Sequence, residues 1–400
     1  MHVVIVGASL AGTRTAQALR MKGFDGPVTL LGEETQLPYD RPPLSKEHLH
    51  PGPPVPPTPL LDEERLSALD LDLRLGTTAV GLDIGARQVQ TATGERVPYD
   101  HVVLATGSRP RTWPLAGDLS GILMLRTAAD ADLLRAALDQ RPRVAVLGGG
   151  FIGSEVAAAA RQRGLDVTVI EMLAAPMAAG LGPRVGRLLG RLHAEAGVGL
   201  RCGTTVTQVR GSGRVEQLVL ADGTALDTDL VVVGIGAVPA VEWLAGSGLD
   251  LANGVVCDET LRAVGADNVY AAGDIANWPH PRFGRLRVEH WTNAQEHASL
   301  VAGAILGEAR PADAVPYVWS DQYGRRIQIV GRPHHSHAVT VIEDAETGRH
   351  VAVYEDGGQV SGLLTIDAPK LMLRGRRAIA AGQPAGDLIA ALGLPAQALT

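Results

Sequence analysis

The sequence predicts an α/β fold: two Rossmann-like dinucleotide-binding domains plus a small C-terminal α+β domain. Three observations carry that expectation. The chain opens on an apolar run, Val3-Val4-Ile5-Val6, that enters Gly7-Ala8-Ser9-Leu10-Ala11-Gly12 and then a helical pattern. The same grammar returns at Val144-Ala145-Val146-Leu147 and Gly148-Gly149-Gly150-Phe151-Ile152-Gly153. From Trp319 onward it gives way to alternating segments at 326–330, 351–354 and 359–366, followed by a helical pattern.

In the first unit a helix is expected over 13–22 and a strand over 28–31, ending at Gly32-Glu33-Glu34. Strand, glycine turn, helix, strand, acid is the order of a nucleotide-binding βαβ unit. The glycines let the backbone approach a pyrophosphate, the helix N-terminus offers it free N–H groups, and an acid ending the second strand can hold a ribose hydroxyl. Ser9 stands where the second fingerprint glycine is usual, so this loop alone also fits an ordinary strand-turn-helix. Residues 51–57, Pro-Gly-Pro-Pro-Val-Pro-Pro, predict an exposed loop, because proline lacks the N–H donor and fixes φ. Strands are expected over 71–80 and 88–91, with a turn at Gly94. A buried strand then ends in Ala105-Thr106-Gly107, and a loop-like crossover over 113–121 precedes a short helix over 130–138.

The second glycine loop carries the complete fingerprint, Gly148, Gly150 and Gly153, ahead of a helix over 154–163. The strand over 167–170 delivers Glu171, close to the roughly 20-residue spacing of a ribose-binding acid. Asp229 to Pro239, with Gly236, repeats the layout of 100–110. Two dissimilar stretches recurring in the same order imply a duplicated dinucleotide-binding domain, and two nucleotide sites imply two cofactors that must meet. The first domain then resumes. A strand over 268–272 runs into Gly273-Asp274 before an expected helix, where Asp274 serves either as a plain N-cap or as acceptor for a ligand hydroxyl. A further helix begins within 287–294. The expected domains are residues 1–113 with 243–315, residues 114–242, and residues 316–400.

The bulk numbers agree. The 400 residues are 46% hydrophobic and 20% charged, with a net charge of −7, so the chain is not built to hold nucleic acid or an anionic membrane. No segment reaches about 18 uninterrupted apolar residues, and no basic region followed by an apolar stretch opens the chain. Its two cysteines, Cys202 and Cys257, have no metal or disulfide spacing and are expected to be buried apolar residues. A cytoplasmic protein is expected, monomeric or homodimeric. His334-His335-Ser336-His337 after Pro333 reads as a surface turn rather than a metal site, and no metal is expected.

Six motifs fall in order: Pro38-Tyr39-Asp40-Arg41-Pro42-Pro43-Leu44-Ser45-Lys46, Ala105-Thr106-Gly107, Gly148 to Glu155, Ala271-Ala272-Gly273-Asp274, Glu289-His290-Trp291-Thr292-Asn293-Ala294 and Trp319-Ser320-Asp321-Gln322-Tyr323. Together they resemble the FAD-dependent NADH:ferredoxin reductases of oxygenase and cytochrome P450 electron chains, the putidaredoxin, rubredoxin and biphenyl-dioxygenase reductase type. The resemblance covers essentially the whole chain. It implies that Gly7, Ala11, Gly12 and Glu33 hold the FAD pyrophosphate and ribose. It places Arg41 and Lys46 near the flavin and Val80 at the adenine end, with Ala105, Thr106, Gly107 and Arg126 reaching the cofactor. Gly273 and Asp274 would bind the ribityl chain, and Trp291 would sit by the isoalloxazine. Gly148, Gly150, Phe151, Ile152, Gly153, Glu171 and Gly236 would hold NADH. The partner implied is a [2Fe–2S] ferredoxin or a rubredoxin, and through it a P450 or dioxygenase.

The implied reaction is hydride transfer from NADH to FAD, then single-electron steps to the iron–sulfur protein, with the cofactor doing the hard chemistry. Lys46 and Glu155 would meet beside the flavin, as such a pair does in that family, the carboxylate offsetting the cost of burying the ammonium. Glu171 suits NADH, because the next twelve residues contain no Arg or Lys to balance a 2′-phosphate. Positions 38–50 hold no cysteine, which sets the chain apart from disulfide reductases of similar fold. A basic patch for an acidic partner is expected among Arg282, Arg285, Arg287, Arg325, Arg326 and the arginines of 374–377. Two other readings keep the same loops: a flavoprotein that reduces small molecules, and an NADH-sensing binding protein.

Overall fold

A computed structural model of the chain describes residues 1–344 and 348–392. It divides into two compact units. The first comprises Met1–Asp40, Pro57–Arg109 and Ala237–Pro316, and the second Arg41–Pro56, Pro110–Gly236 and Tyr317–Thr400.

The first unit is built on a five-stranded parallel sheet with spatial order Asp72–Arg74, Val28–Leu31, Val3–Val6, His101–Leu104, Val269–Ala271. Every residue of Val3–Val6 and Val28–Leu31 is buried, which is why these strands read as unbroken apolar runs rather than as alternation. The first strand in sequence is central, so the strand order reverses beside it, and its C-terminal end is where an open α/β sheet places a ligand. Helix Leu10–Met21 packs on helix Trp291–Ile305. The strands Ala79–Asp83, Gln88–Thr91 and Arg96–Pro98 form an antiparallel meander.

The second unit repeats this plan. Its parallel sheet runs Gly199–Cys202, Val167–Glu171, Val144–Leu147, Leu230–Val233, Ile122–Leu123, and Val206–Arg210, Gln217–Leu220 and Ala225–Asp227 form its meander. It also contains an antiparallel sheet in the order Tyr317–Gln322, Arg325–Gly331, Gln359–Ile366, Arg349–Asp356, Ala338–Asp344, with helices Pro369–Ala381 and Ala385–Leu392. Leu181, Val185, Leu188, Leu189 and Leu192 of helix Ala178–Glu195 share a core with Ile327, Ile329, Tyr354 and Leu364 of that sheet. The fold is therefore the predicted one.

Several elements differ from expectation. Helix Ala178–Glu195 was not expected. Gly182 at φ +77°, followed by Pro183, kinks it and breaks the local helical pattern. Gly273-Asp274 does not open a helix. It forms a single 3₁₀ turn, Gly273–Ile275, and strand Ala276–His280 follows. The expected strand over 71–80 is two strands, and Tyr317–Gln322 and Ala338–Asp344 join the C-terminal sheet unanticipated. The helix expected at 130 begins at Ala128, because Thr127 and Asp130 close a reciprocal capping box. Cys257 is buried, but Cys202 is only half-buried. The loop at 51–57 is exposed as expected.

Candidate functional site

In the first unit the two outer fingerprint glycines are demanded by the backbone itself. Gly7 has φ +114°, and a Cβ there would lie 2.3 Å from Ala105 O; a Cβ on Gly12 would lie 1.9 Å from Gly7 O. Gly7 N–H donates to Leu31 O (2.8 Å) and Ala105 N–H to Val6 O (2.8 Å), so the loop is tied to both flanking strands. Helix Leu10–Met21 has no side-chain N-cap and no acid in its first turn. That end therefore offers backbone donors and a partial positive charge to an anion, the chemistry a diphosphate requires. Ser9 sits in extended backbone at φ −112°, ψ −160°, which any residue adopts without strain.

Around this loop the structure gathers residues far apart in sequence. A Cβ on Gly273 (φ +77°) would meet Ala11 Cβ at 3.1 Å. Gly273 N–H donates to His297 Nδ1 (3.3 Å), and His297 is buried in full. Burial lowers its pKa to about 3, so it stays neutral and can accept that bond. Ser108 donates its hydroxyl to Asp274 Oδ2 (2.8 Å), and Trp291 Nε1 donates to Asp40 Oδ1 (2.7 Å). Thr106 Oγ1 donates to Ala240 O (2.9 Å), beside Gly107 at φ +71°. Of the two acids, Glu34 accepts from Tyr39 OH (2.5 Å), whereas Glu33 is exposed, with Arg109 Nη2 3.7 Å away. Val80 lies exposed on Ala79–Asp83.

The second unit reproduces the loop bond for bond. Gly148 (φ +96°) would place a Cβ 2.3 Å from Gly234 O, and Gly153 one 2.1 Å from Gly148 O. Gly148 N–H donates to Ile170 O (2.8 Å) and Gly234 N–H to Leu147 O (2.7 Å). Gly150 is the N-cap of helix Phe151–Gln162, which again has no side-chain cap. A Cβ on Gly150 would meet nothing within 4 Å. Its glycine is thus unexplained by packing and fits a ligand that must come close. Phe151 is half-buried and Ile152 exposed in the first turn. Gly236 has φ +98°.

Glu171 is fixed by backbone donors: Gly149 N–H to Oε2 (2.7 Å) and Leu173 N–H to Oε1 (2.8 Å). The N–H groups of Gly203 and Thr204 donate to Leu173 O and Glu171 O, and both residues line a cavity of about 510 Å³. Arg201 and Asp222 line it too. Arg201 comes from the adjacent strand Gly199–Cys202, outside the twelve residues that follow Glu171.

The most organised cluster lies around Glu155, on the fifth residue of helix Phe151–Gln162. Lys46 Nζ is 3.1 Å from Glu155 Oε1, and both side chains are largely buried. Lys46 also donates to Pro42 O (3.2 Å). Ser45 donates its hydroxyl to Glu155 Oε2 (2.5 Å) and Ser320 to Oε1 (2.6 Å). The two charges are a buried, hydrogen-bonded pair and not separate surface groups. The chain carrying Lys46 is clamped by arginines that no sequence pattern marked. Buried Arg135 donates to His48 O (2.5 Å), His50 O (3.1 Å) and Gly52 O. Arg163 donates to Leu49 O (2.6 Å) and His50 O (3.1 Å) and pairs with Asp139. Irregular backbone must have its carbonyls satisfied, and the two guanidinium groups do this for His48, Leu49, His50 and Gly52. Arg41 Nη1 donates to Arg126 O (2.5 Å), so those two predicted residues meet through backbone. Next to Glu155, Ser154 lies 3.3 Å from buried His193, whose other nitrogen is 2.7 Å from Tyr323 OH. Burial holds His193 neutral, its pKa lowered to about 4.

Among the described residues no group of His, Cys, Asp and Glu could hold a metal, the 334–337 histidines included, and no helix is long and apolar enough to cross a membrane. Several expected docking arginines are already engaged: Arg287 with Glu289 (2.6 Å), Arg285 with Cys257 O and Asn277 O, and Arg325 with Asp367.

Comparison with known proteins places these features in context. Residues 1–298 match the family model of pyridine nucleotide-disulphide oxidoreductases, and residues 317–392 that of the reductase C-terminal domain. The chain is 36% identical over 392 residues to rhodocoxin reductase of Rhodococcus erythropolis, covering 96% of this chain and 90% of that protein. It is 37% identical to the biphenyl dioxygenase system ferredoxin–NAD(+) reductase component of Paraburkholderia xenovorans strain LB400, covering 88% and 86%. Its backbone follows that of a solved covalent putidaredoxin reductase–putidaredoxin complex with a TM-score of 0.92, 32% identity and 98% coverage of both chains.

Proposed function

Because this chain belongs to the pyridine nucleotide-disulphide oxidoreductase family, we propose that it is an FAD-containing, NADH-dependent ferredoxin reductase serving a P450 or dioxygenase. FAD, when bound, supplies the redox chemistry, accepting hydride from NADH and passing electrons singly to a [2Fe–2S] protein. We assign FAD to residues 1–113 with 243–315, NADH to residues 114–242, and the reducing cytoplasm as the compartment, in keeping with two unpaired cysteines.

Each loop's residues have a task in that reading. The uncapped N-termini at Leu10 and Phe151 bind one diphosphate each. Glu33 and Glu171 accept ribose hydroxyls, and Gly149 and Leu173 hold the Glu171 carboxylate still for this. Asp274, oriented by Ser108, accepts from the ribityl chain, and Trp291, tethered to Asp40, flanks the flavin ring. Lys46 places a positive charge at the flavin and Glu155 keeps that charge buried and oriented.

The buried Lys46–Glu155 pair carries the reading. A disulfide reductase passes electrons through a thiol beside the flavin, and residues 38–50 contain none. Here an ammonium occupies that stretch, which suits a site that lets electrons leave directly. The names of the relatives support an iron–sulfur acceptor. The purified protein is expected to be yellow, to bleach with NADH, and to reduce a [2Fe–2S] ferredoxin at a rate that falls with added salt. Bleaching by NADH without ferredoxin turnover would favour a small-molecule acceptor instead.

A further inference from the structure

Ser320 lies on Tyr317–Gln322, the first strand of the C-terminal sheet, and is fully buried. Its hydroxyl has one proton to give. Gln322, two residues on and on the same face of the strand, donates its amide Nε2 to Ser320 Oγ at 3.0 Å. The serine proton is therefore directed at Glu155 Oε1, 2.6 Å away. That oxygen also receives Lys46 Nζ (3.1 Å), while Oε2 receives Ser45 (2.5 Å). Three donors from two distant parts of the sequence, Ser45-Lys46 and Ser320, converge on one carboxylate. It cannot turn without breaking its bonds to two buried hydroxyls and the ammonium. Lys46 in turn sits where the carboxylate holds it.

We propose that Ser320 is a positioning residue for hydride transfer: acting through Glu155, it sets the place of the Lys46 ammonium, so the C-terminal module takes part in flavin reduction. The proposal rests on the reading that Lys46 and Glu155 lie at the flavin. Without the Ser320 hydroxyl, Oε1 retains Lys46 as its donor. The ion pair tightens and less of its positive field falls on the flavin.

The test uses the FAD-loaded full chain. Ser320→Ala is expected to slow NADH bleaching about tenfold at saturating NADH, with the KM for NADH within about twofold of wild type. A dye-equilibration titration is expected to show a tenfold loss in the flavin reduction equilibrium, about 30 mV more negative for a two-electron couple. Ser320→Thr, which keeps the hydroxyl, is expected to restore both. In a Glu155→Gln background Ser320→Ala is expected to add nothing further. Should Ser320→Ala fail to fold, Gln322→Leu removes the donor that aims the hydroxyl and is expected to give a smaller loss of the same sign. Wild-type rate and potential in the serine variant, equal losses in Ala and Thr, or an additive loss in the Glu155→Gln background would each overturn the proposal. If the wild-type protein itself fails to bleach with NADH, the parent reading falls and takes this proposal with it.

Discussion

The glycine loops at Gly7–Gly12 and Gly148–Gly153 share their scaffolding and differ at the middle fingerprint position. In both, the outer glycines stop a Cβ from striking a carbonyl at 1.9–2.3 Å. In both, the same pair of backbone bonds ties the loop to its two neighbouring strands. The middle position is Ser9 in one and Gly150 in the other, each in extended backbone that tolerates any residue. The outer glycines therefore serve the fold, and packing leaves the middle position free, which under the proposed function is where a ligand's approach decides the residue. The acids differ too. Glu171 is held by two backbone N–H groups, whereas Glu33 stays exposed beside Arg109.

The sharpest way to break this comparison is to put a methyl group at each kind of position. Gly12→Ala and Gly153→Ala are expected to destabilise by similar amounts, about 2–4 kcal/mol, read as a shift in urea midpoint at constant slope. Gly150→Ala is expected to change stability by less than about 0.5 kcal/mol while raising the KM for NADH about tenfold, and Ser9→Gly to leave FAD retention near wild type. A Gly150→Ala protein that binds NADH normally would erase the division of labour.

Cofactor choice sharpens the comparison of the acids. NADH is expected over NADPH by about 100-fold in kcat/KM, or about 2.8 kcal/mol. Glu171→Gln is expected to cut that margin about tenfold, because a 2′-phosphate then meets an amide instead of a carboxylate. Arg201 and Asp222 line the same cavity, so the one cation there has a carboxylate in the same lining. Equal use of both nucleotides by the wild-type protein would contradict the role given to Glu171.

The duplicated sheets were legible because their signals are local: apolar tetrads buried on both faces, glycines that only glycine can replace, and an acid at a fixed offset. Helix Ala178–Glu195 escaped because Gly182 and Pro183 interrupt its period, although its apolar face packs well. The turn after Gly273 was misread because Gly-Asp signals a helix start as readily as a 3₁₀ turn. The setting of Lys46 was the least legible part. Ser320 meets Glu155 across 165 positions, and Arg135 meets His48 across 87, with no period or motif linking them. An arginine bonded to carbonyls reads in sequence as one more surface charge. The arginines expected to meet a partner show the converse, with Arg285, Arg287 and Arg325 taken up by contacts within the chain.

The most direct test of the central claim is anaerobic stopped-flow reduction of the FAD-loaded protein by NADH, wild type against Lys46→Ala. The expected result is rapid bleaching in the wild type and a loss of about 100-fold in the variant, with FAD retained by both. Bleaching of Lys46→Ala at the wild-type rate would contradict the claim that the buried Lys46–Glu155 pair sits at the site of hydride transfer.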